Sequence, residues 1–165
     1  MHKLEKFLEQ VNKNLTRQLG EVDYNSLPYA TKESTWIIWN KKRIYEELNT
    51  QHWLFNPKNE DYDLMISIIN EDTVSLQYIE VKEEGKGMGT EIVNCVLDAA
   101  DDFDITVEVF ASPFKTKYAN VPVNKLTRKM LVSQQSAVVK LMNWYRSFDF
   151  KSISKKEPYK LIYNS

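Results

Sequence analysis

Between residues 3 and 19, Leu4, Phe7, Leu8, Val11, Leu15 and Leu19 recur every three or four positions, with polar residues between them. That spacing predicts one amphipathic helix, ended by Gly20. Trp36, Ile37, Trp39, Ile44, Tyr45 and Leu48 predict one or two helices within residues 31–50, and residues 52–55 the start of a strand. From residue 62 the period shortens. Residues 62–70 and 73–81 are rich in strand formers and are separated by Asn70, Glu71 and Asp72, so they predict an antiparallel hairpin. A helix is expected from Thr90 to about Ala100, with Ile92, Val93, Val96, Leu97 and Ala100 on one face. An acidic loop, 101–104, then leads to a strand at 105–111.

Residues 112–132 read as a polar insertion containing Pro113 and Pro122. Ser133 is placed to cap a further helix, on which Ala137, Val138, Leu141, Met142, Tyr145 and Phe148 share a face. Two short strands, 151–154 and 159–163, follow around Pro158. No internal repeat or low-complexity segment interrupts this order. From residue 62 the chain runs strand, strand, helix, strand, helix, strand, strand, and the fold class expected is α/β, a mixed sheet with helices packed on its faces.

Composition narrows the class. At 165 residues, with 42% hydrophobic and 27% charged side chains, a single globular domain is expected over 1–165. It divides into an N-terminal helical part, 1–60, and a core, 62–163, that carries the insertion. Basic and acidic residues number 22 and 23, a net charge of −1, so the total shows no basic excess for nucleic acid and that partner is not expected. Cys95 is the only cysteine, which excludes an intrachain disulfide. The opening segment lacks the apolar stretch of a signal peptide, and no run approaches the roughly 20 apolar residues that span a bilayer. The expectation is a soluble, cytoplasmic protein with no membrane partner.

Three of the four glycines, Gly85, Gly87 and Gly89, fall within five residues. They lie after a strand and before a helix, where unpaired backbone N–H groups and the positive end of the helix dipole converge. Such a junction accepts phosphate. No Lys-Ser or Lys-Thr pair follows the glycines, so the Walker pattern is absent, and the dinucleotide pattern G-x-G-x-x-G is absent too. The two histidines, His2 and His52, lie near no nucleophile elbow, and one cysteine with two distant histidines has no zinc-ligand spacing, so no metal is expected. Cys95, among Ile92, Val96 and Ala99, reads as a core residue.

Glu84-Gly85-Lys86-Gly87-Met88-Gly89, behind the strand that ends Ile79-Glu80-Val81, resembles the Q/R-x-x-G-x-G/A motif of the GNAT superfamily of N-acyltransferases. Trp144-Tyr145-Arg146-Ser147-Phe148-Asp149-Phe150 resembles the family's later L-Y-x-x-x-G-F. The two motifs come in the family's order, and the likeness covers about residues 62–163. Glu84 stands where the family has glutamine or arginine, and Asp149 where it has glycine. The first change puts a carboxylate near the expected phosphates. The second leaves an aspartate, which tolerates left-handed backbone better than most residues.

The resemblance implies a GNAT-like central sheet, mostly antiparallel, and acetyl-CoA as cosubstrate. Backbone amides of Gly85, Lys86, Gly87, Met88, Gly89 and Thr90 would hold the pyrophosphate, and backbone groups at Ile79 and Val81 would pair with pantetheine. The acyl group would pass directly to an acceptor amine of a protein or small molecule. Tyr145 occupies the position of the family's general acid; its alternative is a packed helix tyrosine. An attacking amine must lose a proton, and Glu80, in an otherwise apolar strand, is the candidate base, with Glu108 second. A second function stays open: a catalytically inactive binding protein on the same fold, acting through macromolecular contacts. Trp36, Trp39 and Trp53 would line an acceptor pocket or fill core.

Overall fold

The computed structural model describes residues 3–20, 53–55, 57, 59–83, 85–111, 122–125, 127–157 and 159–164. The helices expected within 31–50, with Trp36 and Trp39, and most of the 112–132 insertion lie outside them. Helix α1 is Lys3–Leu19, followed by strands β1 (Trp53–Phe55), β2 (Tyr62–Ile68) and β3 (Thr73–Val81). Helix α2 (Met88–Phe103), strand β4 (Thr106–Phe110), a 3₁₀ turn (Val123–Lys125), helix α3 (Arg128–Arg146) and strands β5 (Lys151–Ser152) and β6 (Lys160–Tyr163) complete the order. The strands form a six-stranded, mostly antiparallel sheet in the order β1-β2-β3-β4-β6-β5. The mixed sheet with helices is thus the observed architecture. The chain divides into two compact units, residues 1–107 with 164–165, and residues 108–163, so β4 begins in one and ends in the other.

In the first unit α1 packs on α2. Leu4, Phe7, Leu8, Val11 and Leu15 are buried, as are Ile92, Val93, Val96 and Ala100 of α2, so the helical periodicities marked the core faces. Gly20 takes φ 98, donates to the Thr16 carbonyl at 3.2 Å and ends α1 by the left-handed turn that glycine adopts without strain. The Asn59 side-chain amide donates to the Leu19 carbonyl at 3.0 Å, satisfying another end group. In the hairpin, the Asn70 side chain accepts from the Asp72 N–H at 2.9 Å, and Thr73 accepts from Ile69 at 3.0 Å, so the polar turn closes on itself.

Helix α2 runs to Phe103, so Asp101 and Asp102 belong to its last turn rather than to a loop. Carboxylates oppose the dipole there. The Lys3 ammonium offsets them: it donates to the Asp104 carbonyl at 3.0 Å and pairs with Asp72 at 2.6 Å. Asp104, at φ 55, then turns the chain, and its N–H reaches the Ala100 carbonyl.

In the second unit α3 begins at Arg128, five residues before the expected cap, so Ser133 is a helix-interior residue. The cap is Thr127, whose hydroxyl accepts from the Met130 N–H at 3.2 Å. Val138, Tyr145, Phe150 and Leu161 are buried, with Val109 and Ala111 from β4 and the residue after it. The Ala111 N–H donates to the Tyr159 carbonyl at 2.9 Å, and β5 pairs antiparallel with β6 through Ser152 and Leu161.

Candidate functional site

The turn between β3 and α2 is built on two left-handed glycines, Gly85 at φ 84 and Gly87 at φ 78. Other residues are strained there, which accounts for the glycines at both positions. Gly87 is the N-cap of α2 and no side chain caps the helix. The Gly87 carbonyl accepts the first intrahelical bond, from Glu91 at 3.1 Å. The N–H groups of Met88, Gly89 and Thr90 precede that bond and have no partner within the helix. A Cβ at Gly85 or Gly87 would meet no atom within 4 Å. Positive φ, rather than crowding by the protein, therefore requires the glycines, and the space above the turn is open. Gly89 lies inside α2 and keeps ordinary helical backbone.

The result is an uncapped, exposed helix N-terminus with the residues 85–90 gathered at it. The exposed Lys86 ammonium pairs with Glu83. A pair between two exposed side chains is readily exchanged for another anion.

Strand β3 delivers the chain to this turn. Leu64 pairs with Ile79, Asp63 with Glu80 and Tyr62 with Val81. A bulge between the Met65–Tyr78 and Ile66–Leu76 pairs leaves Gln77 without a cross-strand partner. One extra residue changes the side-chain parity of the strand. Val74 and Leu76 lie on the buried face before the bulge, and Ile79 and Val81, half-buried, share that face after it. Glu80 is thereby set on the opposite face, exposed and directly across from Asp63. The bulge was not legible in the alternation, because residues 73–81 lack a strict polar–apolar rhythm.

Tyr145 lies in the second unit. It is 1% exposed, with its ring 5.1 Å from that of Trp144 and 5.5 Å from that of Phe150. Burial pushes its phenol up to about 12, so it holds its proton at neutral pH. Asp149 stands at φ 71. The position at which the later motif carries glycine thus takes the backbone conformation glycine favours, and an aspartate supports it. Glu108 is largely buried and its carboxylate lies 3.3 Å from the Lys160 ammonium. That hydrogen bond and charge, more than Glu157, hold the lysine above its ordinary range.

Cys95 is buried in α2, where burial, then Glu91 and Asp98, push its thiol up to about 11 against the opposing Arg17. It is inert core, as the sequence indicated. Among the described residues no group of three His, Cys, Asp or Glu side chains is placed to hold a metal ion, and no helix is long and apolar enough to cross a membrane.

No protein-family model matches the sequence, and no curated protein matches it. Two solved structures are similar in fold. One is the crystal structure of the anti-CRISPR protein AcrVA5, at a TM-score of 0.45 and 18% identity, covering 67% of this chain and 97% of that one. The other is a tyrosine-to-phenylalanine mutant of the AtaT toxin bound to the C-terminus of the antitoxin AtaR and acetyl-CoA. Its TM-score is 0.41 at 12% identity, covering 87% of this chain and 91% of that one.

Proposed function

We propose that the chain is an N-acetyltransferase that takes an acetyl group from acetyl-CoA and passes it to an acceptor amine. The observation that carries this reading is the turn before α2. Two left-handed glycines leave the helix mouth without a side-chain cap, and a Cβ at either would meet no atom within 4 Å. A diphosphate is the natural occupant: N–H groups and the dipole act on it together. Backbone amides of Gly85, Lys86, Gly87, Met88, Gly89 and Thr90 would bind it, and Lys86 would trade Glu83 for phosphate. Ile79 and Val81 would offer backbone groups to the pantetheine arm. The CoA thiolate leaves as the amine nitrogen attacks the thioester carbonyl. The proton lost by the amine passes to a base, and the thiolate gains one from an acid.

Tyr145, protonated at neutral pH, suits the acid. Glu80 is the base proposed from the sequence, and its exposure gives it access to water through which an amine proton can move. The near-total burial of Tyr145 favours the second reading, a binding protein that keeps the fold without the chemistry. One set of melts and assays separates the two. Acetyl-CoA at about 100 times its dissociation constant should stabilise the parent by about 2.7 kcal/mol, and Gly87→Glu should remove that gain. Tyr145→Phe should keep the stabilisation and slow acetyl transfer at least tenfold. Stabilisation without turnover on any amine would favour the binding protein, and no stabilisation at millimolar acetyl-CoA would refute acyl transfer and leave the binding protein.

A further inference from the structure

Helix α3 carries four cations, Arg128, Lys129, Lys140 and Arg146, and no acid among its 19 residues. Arg128 and Lys129 stand in its first turn, at the positive end of the dipole, where cations are unfavourable. None of the four is ion-paired to a described residue. The excess extends through the unit. Residues 108–163 carry eleven Lys and Arg against three Asp and Glu, a net +8, while the rest of the chain carries eleven against twenty, a net −9. Concentrated like charge repels itself, and carboxylates brought by a partner relieve it.

The same helix leaves an apolar seam in solvent. Arg128, Val132, Gln135, Val139, Met142 and Arg146 follow at alternating steps of four and three residues, which keeps them on one side of a helix. Leu131, Val132 and Val139 are 50%, 63% and 44% exposed. Arg128 and Arg146 are eighteen residues apart, five full turns, so they lie on one line about 27 Å apart with the seam between them. Two hollows follow it. One of about 530 Å³ is lined, among the described residues, by Arg128, Leu131, Val132, Gln135, Ser136 and Val139. The next, of about 570 Å³, begins at Met142 and Arg146 and has Ser152, Ile153, Ser154 and Lys155 along it. There the Arg146 guanidinium is already oriented, donating to Asn143 Oδ1 and to Ser152 Oγ, each at 3.3 Å.

We propose that α3 docks an acidic amphipathic helix of another protein, with its apolar stripe in the seam and its carboxylates at Arg128 and at Arg146 with Lys155. Seam and charge select this partner together. A nucleic acid or other polyanion answers the cations and leaves Leu131, Val132 and Val139 in water. A bilayer takes a broad apolar face. This seam is narrow, is broken by Gln135 and Ser136, and runs along hollows that the side chains of a second helix fill. A second copy of α3 would set cation against cation. The acidic remainder of the chain exposes one large apolar side chain among the described residues, Ile69, and so offers no matching stripe. The proposal is independent of acyl transfer, because binding is read without acetyl-CoA.

Fluorescence anisotropy on the full chain tests it, with a fluorescein-labelled peptide of three heptads that has leucine at a and d and glutamate at e and g. A peptide of the same composition in scrambled order carries the charge without the stripe. Micromolar binding is expected for the patterned peptide, with binding of the scrambled one at least tenfold weaker. Val132→Glu with Val139→Glu should weaken binding at least tenfold while leaving the melting curve unchanged, since both side chains are exposed. Arg128→Glu should weaken it at least threefold through the lost carboxylate contact. The proposal is overturned by no binding at about 50 μM protein, by affinity unmoved in the valine double variant, or by equal binding of the scrambled peptide. Tighter binding to phosphatidylserine vesicles or to a single-stranded oligonucleotide overturns it as well. So does a dimer in sedimentation velocity that the valine double variant dissolves, because the seam then belongs to a second copy.

Discussion

Single residues carry the chemistry of this chain through backbone angle and burial. Gly85, Gly87 and Asp149 hold positive φ at the positions the two motifs mark, so the motifs describe backbone geometry as much as side chains. Glu80 shows the limit of a local reading: its face depended on a bulge three residues earlier. Cys95 gives a test in pH. Its thiol has a folded pKa raised from 9.0 to about 11, chiefly by burial. The folded state therefore holds this proton more tightly than the unfolded state. Stability is complete below the unfolded pKa and declines as pH rises through the folded one. Melting temperatures followed by circular dichroism should fall between pH 9 and 11, and Cys95→Ala should make that fall shallower. Tyr145, raised to about 12 by the same cause, keeps part of the decline in the variant.

At the scale of elements, the sequence displayed best what is buried on one side. Helix α1, the β2–β3 hairpin and the body of α2 were legible because their apolar positions repeat with the period of their own backbone. Helix α3 was not legible at its start. Leu131 and Val132 are 50% and 63% exposed, and the first buried side chain among those described is Val138, so the opening turns present no core face. Ser133 looked like a cap because the periodicity begins only beyond it. The end of α2 was hidden by its acids, whose dipole conflict is relieved by Lys3, about a hundred residues away in the sequence. Short-range patterns carry no trace of such a partner. Thr127, rather than Ser133, holds the first turn of α3, so Thr127→Ala should cost about 1 kcal/mol in urea denaturation and Ser133→Ala a few tenths at most.

For the whole molecule, summing charge over the chain discarded the informative quantity. The net −1 divides into +8 over residues 108–163 and −9 over the rest of the chain. Charge is a property of surfaces, and only a division of the chain reveals it. The order of elements, in contrast, was legible among the described residues of 62–163, and with it the placing of the glycine turn between a strand and a helix. The acyl-transfer reading depends on that turn holding a diphosphate. The most direct measurement is a ¹H–¹⁵N correlation spectrum titrated with acetyl-CoA. The account predicts that the amides of Gly85, Gly87, Gly89 and Thr90 shift most, and that 3′,5′-ADP, which lacks the pyrophosphate, moves them less. Unmoved amides at this turn under saturating acetyl-CoA, or largest shifts elsewhere, would contradict it.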